Sequence, residues 1–169
     1  MGAGQGASEP FRIIDTGVRE GRSNIAFDAA LIELRQENAV PDTIRFMRFP
    51  PTALIGRHQD LCREINLDYC QQNVVGTVRR ITGGGAIYLD EGQLGWELVV
   101  HRSSLGIAAL PDLAREICNA AAAGLSELGV DAKFRPRNDI EVDGRKISGT
   151  GGFFDGDILI YQGTVLVDM

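Results

Sequence analysis

One amphipathic helix followed by closely spaced hairpins constrains this chain more than any other feature. Between Pro111 and Leu128, apolar residues fall at positions 113, 117, 121, 125 and 128; Pro111 sits in the first turn, acids stand at Asp112 and Glu116, and Gly129 is the stop. Beyond it, Ala132 to Phe134, Ile140 to Val142, Lys146 to Ser148, Phe153-Phe154 and Ile158 to Val167 read as short strands. Asp143-Gly144 and Asp155-Gly156 supply the turn residues between them. Before the helix, strands are predicted at Phe11 to Asp15, Thr43 to Phe49, Ala53 to Ile55, Thr77 to Ile81, Ala86 to Leu89 and Leu94 to Val100. A first helix, capped by Asn24, carries Ile25, Leu31, Ile32 and Leu34, and a short one spans Asn66 to Gln72. Long helices between successive strands are missing, which argues against a doubly wound parallel sheet. The prediction is an α+β domain, a mostly antiparallel or mixed sheet packed with helices.

Size and charge narrow the function. At 169 residues with 44% apolar content, one core is the default, and it should bury ~70% of the unfolded surface. The net charge of -6 argues against a general nucleic-acid binder. Of the 17 basic residues only Lys133 and Lys146 are lysines. Cys62, Cys70 and Cys118 fit neither a disulfide framework nor a paired-cysteine metal site and read as reduced, buried thiols. No apolar run is long enough for a membrane span, and the start resembles no signal peptide, so a cytoplasmic protein with no membrane partner is expected. Residues 1–10, small and polar, are expected to be a flexible tail before a domain at 11–169.

Two segments carry chemistry. In Arg79-Arg80-Ile81-Thr82-Gly83-Gly84-Gly85-Ala86-Ile87-Tyr88, three glycines in a row cost backbone entropy, so close approach of a ligand to bare N–H groups is their natural reason. Neither a Walker loop nor a dinucleotide fingerprint fits, because no Lys-Ser/Thr follows and Tyr88 stands where the last glycine belongs. A plain bulge or turn is the competing account. The second segment runs Arg135-Pro136-Arg137-Asn138-Asp139-Ile140, then Gly144-Arg145-Lys146-Ile147-Ser148-Gly149-Thr150-Gly151-Gly152. If the two clusters face each other on neighbouring strands, they make a positive pocket suited to a nucleoside triphosphate, with Asp139 able to hold Mg²⁺. Lys146 supplies a compact cation there; alone, a solvated hairpin lysine would be the better account. His58 and His101, isolated, read as structural or substrate-contact residues, and Trp96, Phe46 and Phe49 as core or pocket lining.

These blocks together resemble a known family. Pro51 to Gln59, Arg79 to Asp90, Arg137 to Ile140, Gly144 to Gly149 and Gln162 to Asp168 are similar, in order and spacing, to the catalytic domain of lipoate-protein ligases. That domain belongs with the biotin ligases and octanoyltransferases, and the resemblance implies the class II biotin/lipoate ligase-like fold. It also implies a reaction in which lipoate and Mg-ATP give lipoyl-AMP, and the lipoyl group passes to a lysine of an acceptor domain. Acceptors of this kind are a 2-oxoacid dehydrogenase E2 or a glycine cleavage H-protein. The resemblance assigns ATP and lipoyl-AMP to Arg80, Gly83, Gly84, Gly85, Ala86, Ile87, Tyr88, Asn138, Asp139, Lys146 and Ser148. Lys146 becomes the catalytic residue, Asp139 the metal ligand, and His58 and Arg79 part of the substrate pocket.

Departures from the family pattern leave two alternatives standing. Leu89 and Tyr161-Gln162 occupy places where these ligases usually have histidines, and Gly92-Gln93-Leu94 is closer to the octanoyltransferase wording. Those transferases act through a cysteine thioester, yet the matching neighbourhoods, Phe134-Arg135-Pro136 and Ile158-Leu159-Ile160, hold no cysteine. An octanoyl or lipoyl transferase between carrier domains, and a non-catalytic nucleotide-binding module, are the competing functions. The accessory domain common in family ligases is not seen before Met169, so the chain is expected to be either a truncated ligase or one part of a two-chain protein whose second chain supplies that domain.

Overall fold

The computed structural model describes residues 11–106 and 109–168; the tail expected at 1–10 lies outside the described residues. The elements are β1 (Arg12–Val18), α1 (Gly21–Gln36), β2 (Thr43–Arg48), β3 (Thr52–Ile55), α2 (Leu61–Glu64), α3 (Leu67–Gln72), β4 (Gly76–Arg79), β5 (Ile87–Leu89) and β6 (Gln93–His101). A 3-10 turn at Arg102–Ser104 leads to α4 (Leu110–Ser126), β7 (Ala132–Arg135), β8 (Asp139–Val142), β9 (Arg145–Asp155) and β10 (Ile158–Leu166). Seven strands form one mixed sheet in the order β1-β2-β6-β10-β9-β8-β7, and three form a second, β4-β3-β5. Only the β1–β2 and β3–β4 pairs are parallel. The α+β expectation holds.

Strand alternation decides where the core sits. On β10, Leu159 and Tyr161 face one side and Ile158 and Ile160 the other. The first pair packs with Trp96, Val100, Leu113, Cys118 and Ile140 under α4. The second packs with Leu31, Ile32 and Val99 under α1. Met47, Phe49, Leu54 and Leu89 join the two sheets. Truncating any one of the buried leucines, isoleucines or Met47 among these to alanine costs roughly 2–5 kcal/mol.

Several sequence expectations need correction. The first helix starts at Gly21, and Asn24 is a fully buried residue inside it, not its cap. Asn24 Nδ2 donates to the carbonyls of Arg19 and Arg48, stitching α1 to the end of β2. The short helix α2 was not expected; Asp60 caps it. The separate strands expected at Lys146 to Ser148 and Phe153-Phe154 are one strand of 11 residues that runs through Gly149, Gly151 and Gly152. Pairing explains it, since β10 lies along β9 from Ser148 to Asp155, and a Cβ at Gly152 would overlap the Ile160 carbonyl. The Asp143-Gly144 turn is as expected, with φ of 50° and 73°, the left-handed pair of a type I′ hairpin. Among the described residues no helix is long and apolar enough to cross a membrane.

Candidate functional site: a cleft between the two sheets

A cleft of about 530 Å³ opens between the three-stranded sheet, α1 and the larger sheet. Glycines make its floor: Gly149, Gly151 and Gly152 on β9, Gly163 on β10 and Gly95 on β6. Trp96 fills the place where a side chain at Gly163 would stand, its ring 2.5 Å from such a Cβ. One arm is apolar, walled by Ile25, Met47, Phe49, Leu54, Leu89 and Trp96. The other is polar: Arg80, Thr82 and the Gly83–Gly85 loop stand on one side, Asn138 and Lys146 on the other. The two basic, glycine-rich clusters of the sequence therefore face each other from different sheets, not from neighbouring strands of one.

The glycine loop is held by its own arginine. Arg80 donates to the carbonyl oxygens of Gly83 at 2.7 Å and Gly85 at 2.8 Å, which turns those carbonyls toward the guanidinium. The N–H groups of Gly83, Gly84 and Gly85 donate no hydrogen bond among the described residues, which leaves them available to an anion. Gly84 needs its φ of 97°, and a side chain at Gly56 beneath would overlap the Gly84 carbonyl. Burial lowers the Arg80 pKa from its ordinary value. Opposite, the Lys146 ammonium lies 2.7 Å from Asp139 Oδ1 and arches over Gly149, while Arg135 holds Asp139 Oδ2 at 2.8 Å. Burial works to raise the Asp139 carboxyl, but its hydrogen bonds from Lys146 and Arg135 outweigh that and hold it below the usual carboxylate range.

Beside the cleft lies a buried charge cluster that the sequence did not reveal. Arg45 is completely buried, 2.8 Å from Asp28 Oδ1 and 3.0 Å from Glu97 Oε1, the second contact poorly aligned for a hydrogen bond. Gln162 Nε2 donates to Asp28 Oδ2 at 2.8 Å and Glu97 Oε2 at 3.0 Å. Burial, then the neighbouring Glu97, push the Asp28 carboxyl well above its ordinary range; burial also pushes Glu97 up. One cation with two carboxylates in a low dielectric favours holding a proton. Asp28 and Gln162 line the cleft, so this cluster forms part of its wall.

The family model for the lipoyl protein ligase A/B catalytic domain matches residues 20–169. The chain belongs to that family. Among curated lipoyl ligase and transferase relatives, "Octanoyltransferase LipM" of Halalkalibacterium halodurans is 29% identical over 95% of this chain and 67% of its own. "Lipoate-protein ligase LplJ" of Bacillus subtilis is 36% identical over 70% of this chain, but only 34% of its own length is spanned. Among solved structures, the putative lipoate protein ligase Ta0514 of T. acidophilum aligns with a TM-score of 0.79 at 26% identity, covering 94% of this chain and 69% of that one. A bi-partite lipoate protein ligase from Thermoplasma acidophilum, solved with its E2 lipoyl domain, aligns with a TM-score of 0.80 at 25% identity, over 94% and 62% of the two chains.

Within this lipoyl ligase/transferase domain the expected site residues separate into three groups. Arg80, Gly83, Gly84, Gly85, Ala86, Ile87, Asn138 and Lys146 line the cleft. Asp139 stands behind Lys146 as its counter-ion. The others are elsewhere: Tyr88 is half exposed, Ser148 is buried facing away with its Oγ unpaired, and His58 is on the surface. Arg79 ties down the 56–59 turn through the carbonyls of Gly56, Arg57 and Gln59. Of the six cations expected to make the positive pocket, Arg80 and Lys146 line it; Arg135 is spent on Asp139 and Glu141, and Arg137 and Arg145 are exposed. A protein-built Mg²⁺ cage does not fit. Both Asp139 oxygens are engaged by cations, and no group of three metal-ligating side chains exists among the described residues. Two of the three thiols are buried as expected, Cys70 and Cys118; Cys62 is exposed, and none lines the cleft.

Proposed function

We propose that the chain is the catalytic part of an AMP-forming lipoate-protein ligase. Its substrates are lipoate, Mg-ATP and a lysine on an acceptor lipoyl domain of the 2-oxoacid dehydrogenase E2 or H-protein kind. One observation carries this reading: the Gly83–Gly85 loop and the Lys146 ammonium face each other across a cleft whose other arm is apolar, and no cysteine lines it. In the first step a lipoate oxygen attacks the α-phosphorus, an O–P bond forms, and pyrophosphate leaves. In the second the acceptor amine attacks the acyl carbon, a C–N bond forms, and AMP departs with the electron pair while the amine proton passes to solvent.

The residues work by position and charge. Loop N–H groups, freed because Arg80 occupies the carbonyls of Gly83 and Gly85, bind phosphate oxygens. Lys146 exchanges its bond to Asp139 for the α-phosphate and acyl oxygens, and its single ammonium reaches both. Ile25, Met47, Phe49 and Leu54 hold the acyl chain and keep water from the mixed anhydride. Asp139 returns to Lys146 when AMP leaves. Magnesium enters with the triphosphate as part of the substrate.

A second reading, acyl transfer between carrier domains, is favoured by the LipM relatives, 67% of whose length this chain spans in Halalkalibacterium halodurans. One experiment separates the two. The protein is incubated with an apo lipoyl domain and either lipoate plus Mg-ATP or octanoyl carrier protein, and the acceptor mass is measured. Modification only with the first mixture supports the ligase; modification only with the second overturns it.

A further inference from the structure

Two adjacent residues of β10 each reach a different wall of the cleft. Strand alternation sends Tyr161 under β9 and Gln162 into the cleft wall, just before the glycine floor at Gly163. The Tyr161 hydroxyl lies 2.7 Å from Thr150 Oγ1, and Thr150 Oγ1 lies 2.9 Å from the Asn138 carbonyl. Thr150 has one hydroxyl proton, which goes to that carbonyl, so Tyr161 donates in its own bond. Burial raises the Tyr161 phenol and keeps this donor protonated. Asn138 is fixed twice more, by the Thr150 N–H to its carbonyl at 2.9 Å and by its Nδ2 to the Thr150 carbonyl.

On the other face the contacts of Gln162 set the orientation of its amide. With the retained proton held between Asp28 and Glu97, the oxygens that face Gln162 accept from its amide, so Nε2 points to them and Oε1 points outward. There Oε1 accepts from Thr82 Oγ1 at 3.3 Å, and Thr82 leads directly into the Gly83–Gly85 loop. A buried charge cluster of this kind contributes little net stability against an apolar replacement. Its geometric consequence is a fixed amide that presents one oxygen to the loop.

We propose that Tyr161 and Gln162 are a pair of positioning residues, Tyr161 setting the Asn138 wall through Thr150 and Gln162 setting the Gly83–Gly85 wall through Thr82. The function assigned to those walls rests on the nucleotide reading above; the positioning itself does not. Two backbone amides report on it separately. Thr150 N–H is bonded to the Asn138 carbonyl, and Arg57 N–H to the Thr82 carbonyl at 2.9 Å.

The test is residue-resolved amide exchange on the folded chain. Tyr161→Phe speeds exchange at Thr150 by about fivefold, the loss of one net hydrogen bond, and leaves Arg57 unchanged. Thr82→Val speeds exchange at Arg57 by about two- to threefold, less because 3.3 Å is a long bond, and leaves Thr150 unchanged. Thr82→Ser, which keeps the hydroxyl, restores the wild-type rate at Arg57. Thr150→Val cuts the same relay if Tyr161→Phe does not fold. Uniform acceleration at all amides, or none at the two reporters, overturns the proposal. Both variants should also raise KM for ATP more than they lower kcat. If the wild type binds no nucleotide, the ligase reading fails while the exchange result still decides the positioning.

Discussion

Replacing Lys146 with alanine separates a role in the reaction from a role in the fold, because the structure predicts very different sizes for the two effects. The side chain is half exposed and, among the described residues, its one ionic partner is Asp139 at 2.7 Å. A pair that exposed contributes roughly 0–1 kcal/mol. Arg135 stays on the second oxygen of Asp139 at 2.8 Å, so the carboxylate is not left unpaired. Unfolding should therefore shift by no more than about 4 °C in a domain of this size. Removing a donor aimed at the charge that develops during acyl transfer costs about 10²–10³ in rate. The assays are a thermal melt and the rate of mass gain of an apo lipoyl domain with lipoate and Mg-ATP. Gly149→Ala is the companion variant: its Cβ would lie 3.0 Å from Lys146 Cε and Nζ, so it moves the ammonium without deleting it and should give a smaller loss. Turnover of Lys146→Ala within about fivefold of wild type, well short of that loss, would refute the assignment; so would loss of the fold.

Three further outcomes are expected. Gly151→Ala places its methyl where nothing lies within 4 Å, on the cleft floor, so stability changes by less than about 1 kcal/mol while KM for the acyl substrate or nucleotide rises; Gly152→Ala drives its methyl into the Ile160 carbonyl and Tyr161 and should cost about 1–3 kcal/mol in denaturant titration. Asp28 and Glu97 have raised pKa values when folded, so the native state keeps a proton that the unfolded chain releases above pH ~4, and this contribution to stability falls as pH rises from there; Glu97→Gln should flatten that slope in unfolding curves measured between about pH 5 and 7. Cys62→Ser and Cys118→Ser should each retain transfer activity in the mass assay, and loss with either revives a thioester route.

What the sequence disclosed and what it hid follow from local versus non-local causes. The helix at Leu110–Ser126 and the Asp143-Gly144 hairpin are written in nearby residues, and both appear within two residues of the expected bounds. The glycine loop and Lys146 were legible as chemistry, because three glycines and a lone lysine near arginines have few structural reasons. Their placement in different sheets was not, since it depends on which strands pair across the whole chain. Asp28 reads as a charge on the polar face of a helix and Arg45 as an outward residue on a strand, yet both are buried against each other and Glu97. A signal existed only in retrospect: Arg45 and Glu97 are cross-strand partners on central strands, where a solvated charge has no place to go. Strand β9 was hidden for the opposite reason, because its glycines argue locally against a strand and only pairing with β10 overrides them.

The same glycines link fold to chemistry and bear on the choice between ligase and thioester transferase. A covalent route needs a thiolate that an acyl group can reach, in an electropositive and partly open setting. Cys118 lies fully buried under the floor, 3.3 Å from Thr150 Oγ1 and 3.6 Å from the Tyr161 hydroxyl, so an acyl group there would have to displace the packing beneath β9. Cys70 is buried on α3, and Cys62, though exposed, sits on α2 outside the cleft. The floor itself, at Gly149, Gly151, Gly152 and Gly163, presents backbone instead of a nucleophile, and backbone is what a bulky, flat or anionic group needs in order to lie against a sheet. A glycine floor between the Gly83–Gly85 loop and an apolar arm suits the acyl-adenylate of the proposed reaction, which carries a base, a phosphate and a chain at once; a simple acyl-thioester needs only the last of these.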